Sequence, residues 1–172
     1  GCFDGVLLME LITDSEGLVA PRLNDISMSE DQAAEDHALM MQFVIRMLCA
    51  GLIHGDLSEF NVLVDEYGPV IIDLPQAVDA AANNNAETML KRDVNNMTTY
   101  YGQYAPSLLN SHYAEEIWSL YENGELHPNT ELTGQFELNN QTADVDAVLE
   151  DIKAAYAEEQ ERLKRIQEAE IN

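Results

Sequence analysis

Residues 54–73 read HGDLSEFNVLVDEYGPVIID, and this stretch carries most of the information in the sequence. A polar loop comes first. It is followed by an apolar run at 61–64, a turn at 65–68 and a second apolar run at 70–72. Two short apolar runs separated by turn residues predict a β-hairpin.

Three side chains in this stretch offer oxygen atoms at a spacing that suits a metal-dependent site. Asp56 and Asn61 lie on the loop, and Asp73 ends the second strand. The hairpin folds Asn61 and Asp73 towards each other, and one amide oxygen with one carboxylate suits Mg²⁺. Asp56 is then free to act as a base or proton acceptor. Phosphoryl transfer from ATP needs these parts, because a metal neutralises the phosphates and a carboxylate orients the attacking hydroxyl.

The composition limits the kinds of partner that we expect. The chain has 172 residues, of which 46% are hydrophobic, enough for one domain with a real core plus an appendage. Lys and Arg number 8 against 32 Asp and Glu, which gives a net charge of −24. Such a surface repels phosphate backbones and anionic lipids, so we expect neither direct nucleic-acid binding nor membrane binding. It would also repel a nucleotide that arrived without Mg²⁺.

The cysteines and the apolar segments favour a cytoplasmic protein. Cys2 and Cys49 do not make a disulfide framework, and no signal peptide is visible. The most apolar stretch, residues 39–53, is too short to span a bilayer. Because the sequence starts without methionine, we expect a piece of a longer protein. The sequence has no signature of the oligomeric state or of a protein substrate.

A helix is predicted over residues 30–50. Ser29 is a good N-cap, Gln32 completes a capping box and Gly51 is a C-terminal stop. Residues at helical spacing form one apolar stripe: Leu39, Met40, Phe43, Val44, Met47 and Leu48.

The remaining pattern predicts an α+β fold that is mainly helical and has one small β-hairpin. Helices are expected at 88–101 and 111–121, packed around the 30–50 helix, and a loop at 123–140. From residue 142 onwards the sequence predicts an acidic helix, either docked on the domain or exposed with partial coiled-coil character.

The loop and hairpin resemble the catalytic loop of the protein-kinase-like superfamily, whose pattern is H-x-D-x-x-x-x-N. DLPQ at 73–76 is similar to the D-x-x-Q of one branch, the RIO family of atypical serine/threonine protein kinases, in its bacterial form. Three shorter matches support this resemblance: MELI at 9–12, APRL at 20–23 and LKRDV at 90–94. Together they cover about residues 5–122 and imply the C-terminal lobe of a kinase.

The resemblance implies a role for each residue of the loop and hairpin. Asp56 would be the catalytic Asp that accepts or positions a hydroxyl, and Asn61 and Asp73 would hold Mg²⁺. Ser58, together with Glu59, would contact phosphate or substrate. In ATPase-like relatives an aspartyl phosphate forms, and Asp73 would be the residue that carries it.

Other residues would bind the nucleotide base or support the loop. Main-chain groups of Glu10 and Ile12 would meet adenine, as in a kinase hinge. His54 is expected to brace the loop through hydrogen bonds. Asp93 is expected to hold the loop by accepting its backbone N–H groups, without touching substrate.

Several parts of a typical kinase are missing from the pattern. His-Gly-Asp replaces His-Arg-Asp, so the arginine that reads a phosphorylated activation loop is absent. No glycine-rich loop and no lysine precede the hinge segment, since Lys91 is the first lysine. We therefore expect no N-terminal lobe and little catalysis by this chain alone. The expected organisation is a hinge segment at 1–12, a kinase-like C-lobe at 13–130, and a loop with an acidic helix at 131–172.

Two other functions remain open at this point. Small-molecule kinases of the aminoglycoside or choline type share H-G-D-x-x-x-x-N and a later Ile-Asp. A kinase fold without activity could also serve as a nucleotide-sensing module.

Overall fold

The computed structural model describes the backbone of residues 2–3 and 6–7, and residues 10–136 in full. The helix predicted from residue 142 lies outside the described residues. The elements, in chain order, are β1 (Cys2–Phe3), β2 (Val6–Leu7), α1 (Glu30–Cys49), β3 (Leu52–Ile53), β4 (Val62–Asp65), β5 (Gly68–Ile71), β6 (Val78–Asp79), α2 (Ala86–Gly102) and α3 (Tyr113–Glu122). Short 3-10 helices occupy Leu23–Asp25, Leu74–Gln76 and Pro106–Asn110.

The strands of this mixed α/β fold pair as three antiparallel two-stranded sheets, β1–β2, β3–β6 and β4–β5. The β4–β5 pair is the predicted hairpin, with Asp65 opposite Gly68 and a two-residue turn between them. The prediction of a single hairpin is wrong, because it missed the other two sheets. Strands of two residues are too short to show the alternation that identifies a strand.

Helix α1 begins and ends close to where its capping residues predict. The Ser29 hydroxyl accepts the N–H of Gln32 at 3.2 Å, and Gly51 follows the helix with a φ of +83°. The reciprocal half of the predicted capping box is wrong. The Gln32 side chain donates instead to the Asp36 carboxylate at 2.9 Å.

The buried face of α1 is rotated from the predicted stripe. Leu39, Phe43 and Met47 are only half-buried. The core-facing side consists of Ala33, Asp36, His37, Met40, Met41, Val44, Ile45 and Leu48. Met40, Val44 and Leu48 of the predicted stripe are buried, as expected. Two core-facing residues are polar, so hydrophobic periodicity alone placed the centre of the face too far towards Leu39 and Phe43.

Helix α2 forms the middle of the packing, since it contacts both α1 and α3. Its predicted apolar face is largely confirmed. Leu90, Val94, Met97 and Tyr101 are almost fully buried, and Met89 is half-buried. The described part of the predicted loop, up to residue 136, contains no helix or strand. None of the helices in the described residues is long and apolar enough to cross a membrane.

Candidate active site

Side chains of helix α2 hold the loop between β3 and β4 through hydrogen bonds. The buried carboxylate of Asp93 accepts the N–H of Gly55 at 2.7 Å and the N–H of Leu57 at 3.1 Å. The supporting role predicted for Asp93 is therefore confirmed. Burial raises the pKa of Asp93 above its ordinary value, and the two N–H groups oppose that shift by stabilising the charged form.

Two further side chains of α2 bind the same stretch of loop. Arg92 donates to the carbonyl of Gly55, and the Asn96 amide donates to the carbonyl of Leu57 at 3.0 Å. With Asp93, these residues satisfy both main-chain groups of Gly55 and both of Leu57. We call Arg92, Asp93 and Asn96 the α2 clamp.

The α2 clamp fixes the backbone on both sides of Asp56 and leaves the Asp56 side chain exposed. A carboxylate on a loop that cannot shift is suited to orienting a reacting group. Sequence reasoning found only one member of the clamp, Asp93. The signal for Asn96 was a polar residue on a helix face that also carries Arg92.

His54 ties the loop to the chain just before Asp73. Its ring is buried, its Nε2 lies 2.9 Å from the carbonyl oxygen of Ile72, and its Nδ1 accepts the N–H of Asp56 at 3.3 Å. Acceptance at Nδ1 places the proton of the neutral ring on Nε2, which donates to Ile72. The bracing role predicted for His54 is confirmed.

Gly55 explains why this loop has no arginine before its aspartate. The residue has a φ of +82°, a conformation that side chains other than glycine's rarely adopt. A Cβ atom there would lie 2.8 Å from both the carbonyl oxygen of Gln76 and the Cε of Met89. A larger residue would have to displace the backbone that follows Asp73.

The hairpin brings Asn61 and Asp73 to the same end, as the sequence predicts. Val62 pairs with Ile71, and the N–H of Ile72 donates to the carbonyl of Asn61 at 3.0 Å, so Asp73 is the next residue beyond the paired strands. The Asn61 amide nitrogen donates to the carbonyl of Asp56 at 2.8 Å. The amide nitrogen of Asn61 is thus bound to the loop backbone, and its amide oxygen makes no hydrogen bond among the described residues.

Asp73 is exposed and adopts a left-handed backbone conformation, with φ +67° and ψ +60°. Within the described residues it is the one residue other than glycine with a positive φ. Strain of this kind is found where a function requires a particular side chain. The strained residue therefore marks this end of the hairpin as a candidate site.

The oxygen atoms of Asn61 and Asp73 fit a hard divalent cation. Among the described residues, no group of three or more His, Cys, Asp or Glu side chains could hold a metal ion by itself. A pair consisting of one amide and one carboxylate fits Mg²⁺, which keeps several waters and shares substrate phosphates.

Gln76 also reaches this site. Its side-chain nitrogen lies 3.4 Å from the Asp56 carboxylate. In the sequence Gln76 stands out only as part of DLPQ, and the pattern predicts no role for it. The contact with Asp56 depends on how the chain turns after Asp73. Ser58 and Glu59, the two residues predicted to contact phosphate or substrate, are both half-buried. The carbonyl of Ser58 accepts the N–H of Asn61 at 2.9 Å.

The two predicted hinge residues lie on the chain segment that precedes the 3-10 helix Leu23–Asp25. Glu10 is exposed, and the carbonyl of Ile12 is already bound by the N–H of Ala20 at 3.0 Å. The chain then runs beside β4, where Val64 donates to the carbonyl of Pro21 at 2.9 Å. Among the described residues, no hydrogen bond links Glu10 or Ile12 to the loop.

The sequence matches a known protein family over the region that contains this fold and loop. The RIO domain family matches residues 1–114, which is most of the part that the structure describes. The chain therefore belongs to the RIO domain family.

Individual relatives are similar over shorter stretches. The RIO-type serine/threonine-protein kinase Rio1 of Haloferax volcanii is 37% identical over 99 residues, which are 56% of this chain and 32% of the relative. Rio2 of Methanocaldococcus jannaschii is 56% identical over 55 residues, 31% of this chain and 20% of the relative. The human serine/threonine-protein kinase RIO1 is 32% identical over 105 residues, 60% of this chain and 18% of the relative. The matched part of the chain thus spans about a third or less of the length of these curated relatives.

Proposed function

We propose that the protein is an ATP- and Mg²⁺-dependent serine/threonine protein kinase or ATPase of the RIO type. In this proposal residues 13–130 form its C-terminal lobe and residues 1–12 its hinge. The observation that carries the proposal is the exposed carboxylate of Asp56 on a loop whose neighbouring residues are held by the α2 clamp. The names of the relatives, all RIO-type serine/threonine kinases, support the same reaction class.

Each residue of the site has a part in the proposed reaction. Asn61 and Asp73 would hold Mg²⁺, which when bound neutralises charge on the phosphates of ATP. The Asp56 carboxylate orients the hydroxyl of the acceptor and takes its proton as the oxygen attacks the γ-phosphorus. The bond from that phosphorus to its bridging oxygen breaks in the same step, and ADP leaves. The rigid backbone around Asp56 keeps its oxygen atoms in place while this happens.

The nucleotide would extend from this site towards the hinge segment. In the proposal, main-chain groups of Glu10 and Ile12 meet the adenine, and the Ser58 hydroxyl contacts a phosphate. The kinase acts in the cytoplasm on itself or on a protein hydroxyl, without binding nucleic acid or membranes directly. The net charge of −24 supports the exclusion of both kinds of polyanionic partner.

We further propose that these 172 residues transfer little phosphate alone. They contain no glycine-rich loop and no lysine ahead of the hinge segment, the parts that cover and clamp the phosphates in kinases. The matched relatives are several times longer than the matched region. The missing parts would come from a longer protein that carries this chain.

The proposal is tested with γ-labelled ATP and Mg²⁺, using the longest protein that carries these residues. Label transfer and phosphate release are measured for the wild type, for Asp56→Asn and for the 172-residue chain. Glu66→Gln is the matched control, because this exposed carboxylate lies in the turn at the other end of the hairpin. We expect activity in the wild type and the control, and a loss of at least about a hundredfold in Asp56→Asn.

The form of the label separates the alternatives. Acid-stable label on protein indicates a phosphorylated hydroxyl, whereas base-labile, hydroxylamine-sensitive label indicates an aspartyl phosphate. Label on choline or an aminoglycoside, with none on protein, would show a small-molecule kinase instead. Tight Mg·ATP binding without transfer or hydrolysis would leave a nucleotide-sensing module.

A further inference from the structure

Gln76 is the one side chain in the described residues that donates a hydrogen bond to the Asp56 carboxylate. Its Nε2 lies 3.4 Å from Oδ2 of Asp56. This distance is longer than that of a typical hydrogen bond. Catalytic hydrogen bonds are often long before substrate binds and shorten in the complex.

The chain after Asp73 is built in a way that delivers Gln76 to this point. The left-handed conformation of Asp73 turns the backbone into the 3-10 helix Leu74–Gln76, which closes with a bond from the Ala77 N–H to the Leu74 carbonyl at 2.9 Å. The carbonyl of Gln76 packs against Gly55. A Cβ atom on residue 55 would lie only 2.8 Å from the Gln76 carbonyl oxygen. The missing side chain at Gly55 thus allows Gln76 to lie beside Asp56.

The chemistry of an amide suits this position. An N–H donor stabilises the charged carboxylate and fixes the direction of one oxygen, which leaves Oδ1 of Asp56 free for an acceptor hydroxyl. A neutral donor does this without the strong loss of basicity that a nearby cation would cause. The one cation of the α2 clamp, Arg92, is bound to the carbonyl of Gly55 instead.

We propose that Gln76 is a positioning residue, which holds the Asp56 carboxylate in the orientation that accepts the hydroxyl proton. This inference rests on the proposed function, because it assigns Gln76 a part in phosphoryl transfer.

Two substitutions separate the N–H donor of Gln76 from its bulk. Gln76→Met keeps the size and neutrality of the side chain and removes the donor, and Gln76→Glu replaces the donor with an oxygen that repels Asp56. Gln103→Met and Gln103→Glu are the matched controls. Gln103 is exposed and follows the end of α2, about 15 Å along the helix axis from Asp93.

The kinetics are measured on the longest protein that carries these residues. We expect kcat to fall about tenfold in Gln76→Met and more steeply in Gln76→Glu, with KM for ATP within about twofold of wild type. The Gln103 variants keep wild-type kinetics, and all four variants keep the wild-type melting temperature.

A spectroscopic measurement tests the contact itself without activity. In the 172-residue chain, Asp56→Asn is expected to move the NMR signals of the Gln76 side-chain amide and to leave those of Gln103 in place. If the Gln76 signals do not move, or if Gln76→Met keeps wild-type kcat while Asp56→Asn is inactive, Gln76 has no positioning role and the proposed function stands. If Asp56→Asn keeps full activity, the proposed function itself fails.

Discussion

Asp73 combines an exposed carboxylate with a backbone conformation that glycine adopts more easily. A fold selected for stability alone would favour glycine there, because a left-handed conformation costs other residues roughly 1–2 kcal/mol, and Asp somewhat less. A functional role of the carboxylate explains why Asp occupies this position, and metal binding is the role we propose.

Asp73→Gly should therefore raise the free energy of unfolding, by about 1 kcal/mol, because it relieves the left-handed strain. The measurement is chemical denaturation of the 172-residue chain. Asp65→Gly is the control, since Asp65 has no positive φ and its carboxylate accepts the N–H of Tyr67 at 2.7 Å. That variant should lose stability. A loss of stability in Asp73→Gly would show that the Asp73 side chain is required for the fold.

The predictable part of the site depends on spacing, and the unpredicted part depends on contacts between distant residues. Asp56, Asn61 and Asp73 are predicted as site residues because five residues of loop and one hairpin fix their relation. The role of Gln76 was missed because it follows from the turn at Asp73, which no local pattern announces.

At the scale of elements, helix α2 positions the loop through side chains rather than through apolar packing alone. Asn95 and Asn96 are adjacent asparagines on this helix, and both are exposed. The Asn96 side chain donates to the carbonyl of Leu57, whereas the Asn95 side chain makes no hydrogen bond among the described residues. The chain thus contains its own matched pair for testing the α2 clamp.

Asn96→Ala should be less stable than Asn95→Ala by about 1 kcal/mol, the usual net value of one hydrogen bond. Both variants gain the same helix propensity, so the difference isolates the contact with the loop. Chemical denaturation gives the stability, and hydrogen exchange at the Leu57 amide reports on the loop, which should open more readily in Asn96→Ala. Equal stability and equal exchange in the two variants would contradict the clamp.

The elements themselves were predictable to different degrees. Helix α1 was marked by Ser29 and Gly51, and the β4–β5 hairpin by its turn, because these are local signals. The β3–β6 pair was missed, since strands of two residues are too short to show an alternating pattern. The orientation of α1 was also missed, because buried His37 carries no apolar signal.

At the scale of the whole molecule, His37 links the three helices. It lies on α1, its Nε2 is 3.0 Å from the hydroxyl of Thr98 on α2, and its ring packs against Tyr101 and against Tyr113 of α3. Burial lowers the pKa of His37 from 6.5 to about 4. The folded state therefore holds this ring neutral under conditions in which the unfolded chain protonates it.

Acidification should destabilise the fold through His37. Between pH 6.5 and about 4 the unfolded chain binds a proton that the folded state does not, so the free energy of unfolding falls as the pH is lowered. The contribution is at most about 3 kcal/mol. His37→Gln should flatten this dependence, whereas exposed His127→Gln should not. The same pH dependence in wild type and His37→Gln would contradict this assignment.

The distribution of charged side chains bears on the proposed metal site. The cationic side chains between residues 10 and 136 are Arg22, Arg46, Lys91 and Arg92. Lys91 pairs with Glu87 at 2.6 Å, and Arg92 binds the loop backbone. A nucleotide at Asp56 would thus meet mostly carboxylates, and the Mg²⁺ that we propose at Asn61 and Asp73 would balance its phosphate charge.

In our proposal Asn61 and Asp73 hold this cation beside Asp56. This placement is tested most directly by NMR of the 172-residue chain with an ATP analogue and substoichiometric Mn²⁺, whose unpaired electrons broaden nearby amide signals. We predict broadening centred on Asn61 and Asp73 that excess Mg²⁺ reverses and that Asp73→Asn abolishes. Broadening centred elsewhere on the acidic surface, or unchanged in Asp73→Asn, would contradict the claim.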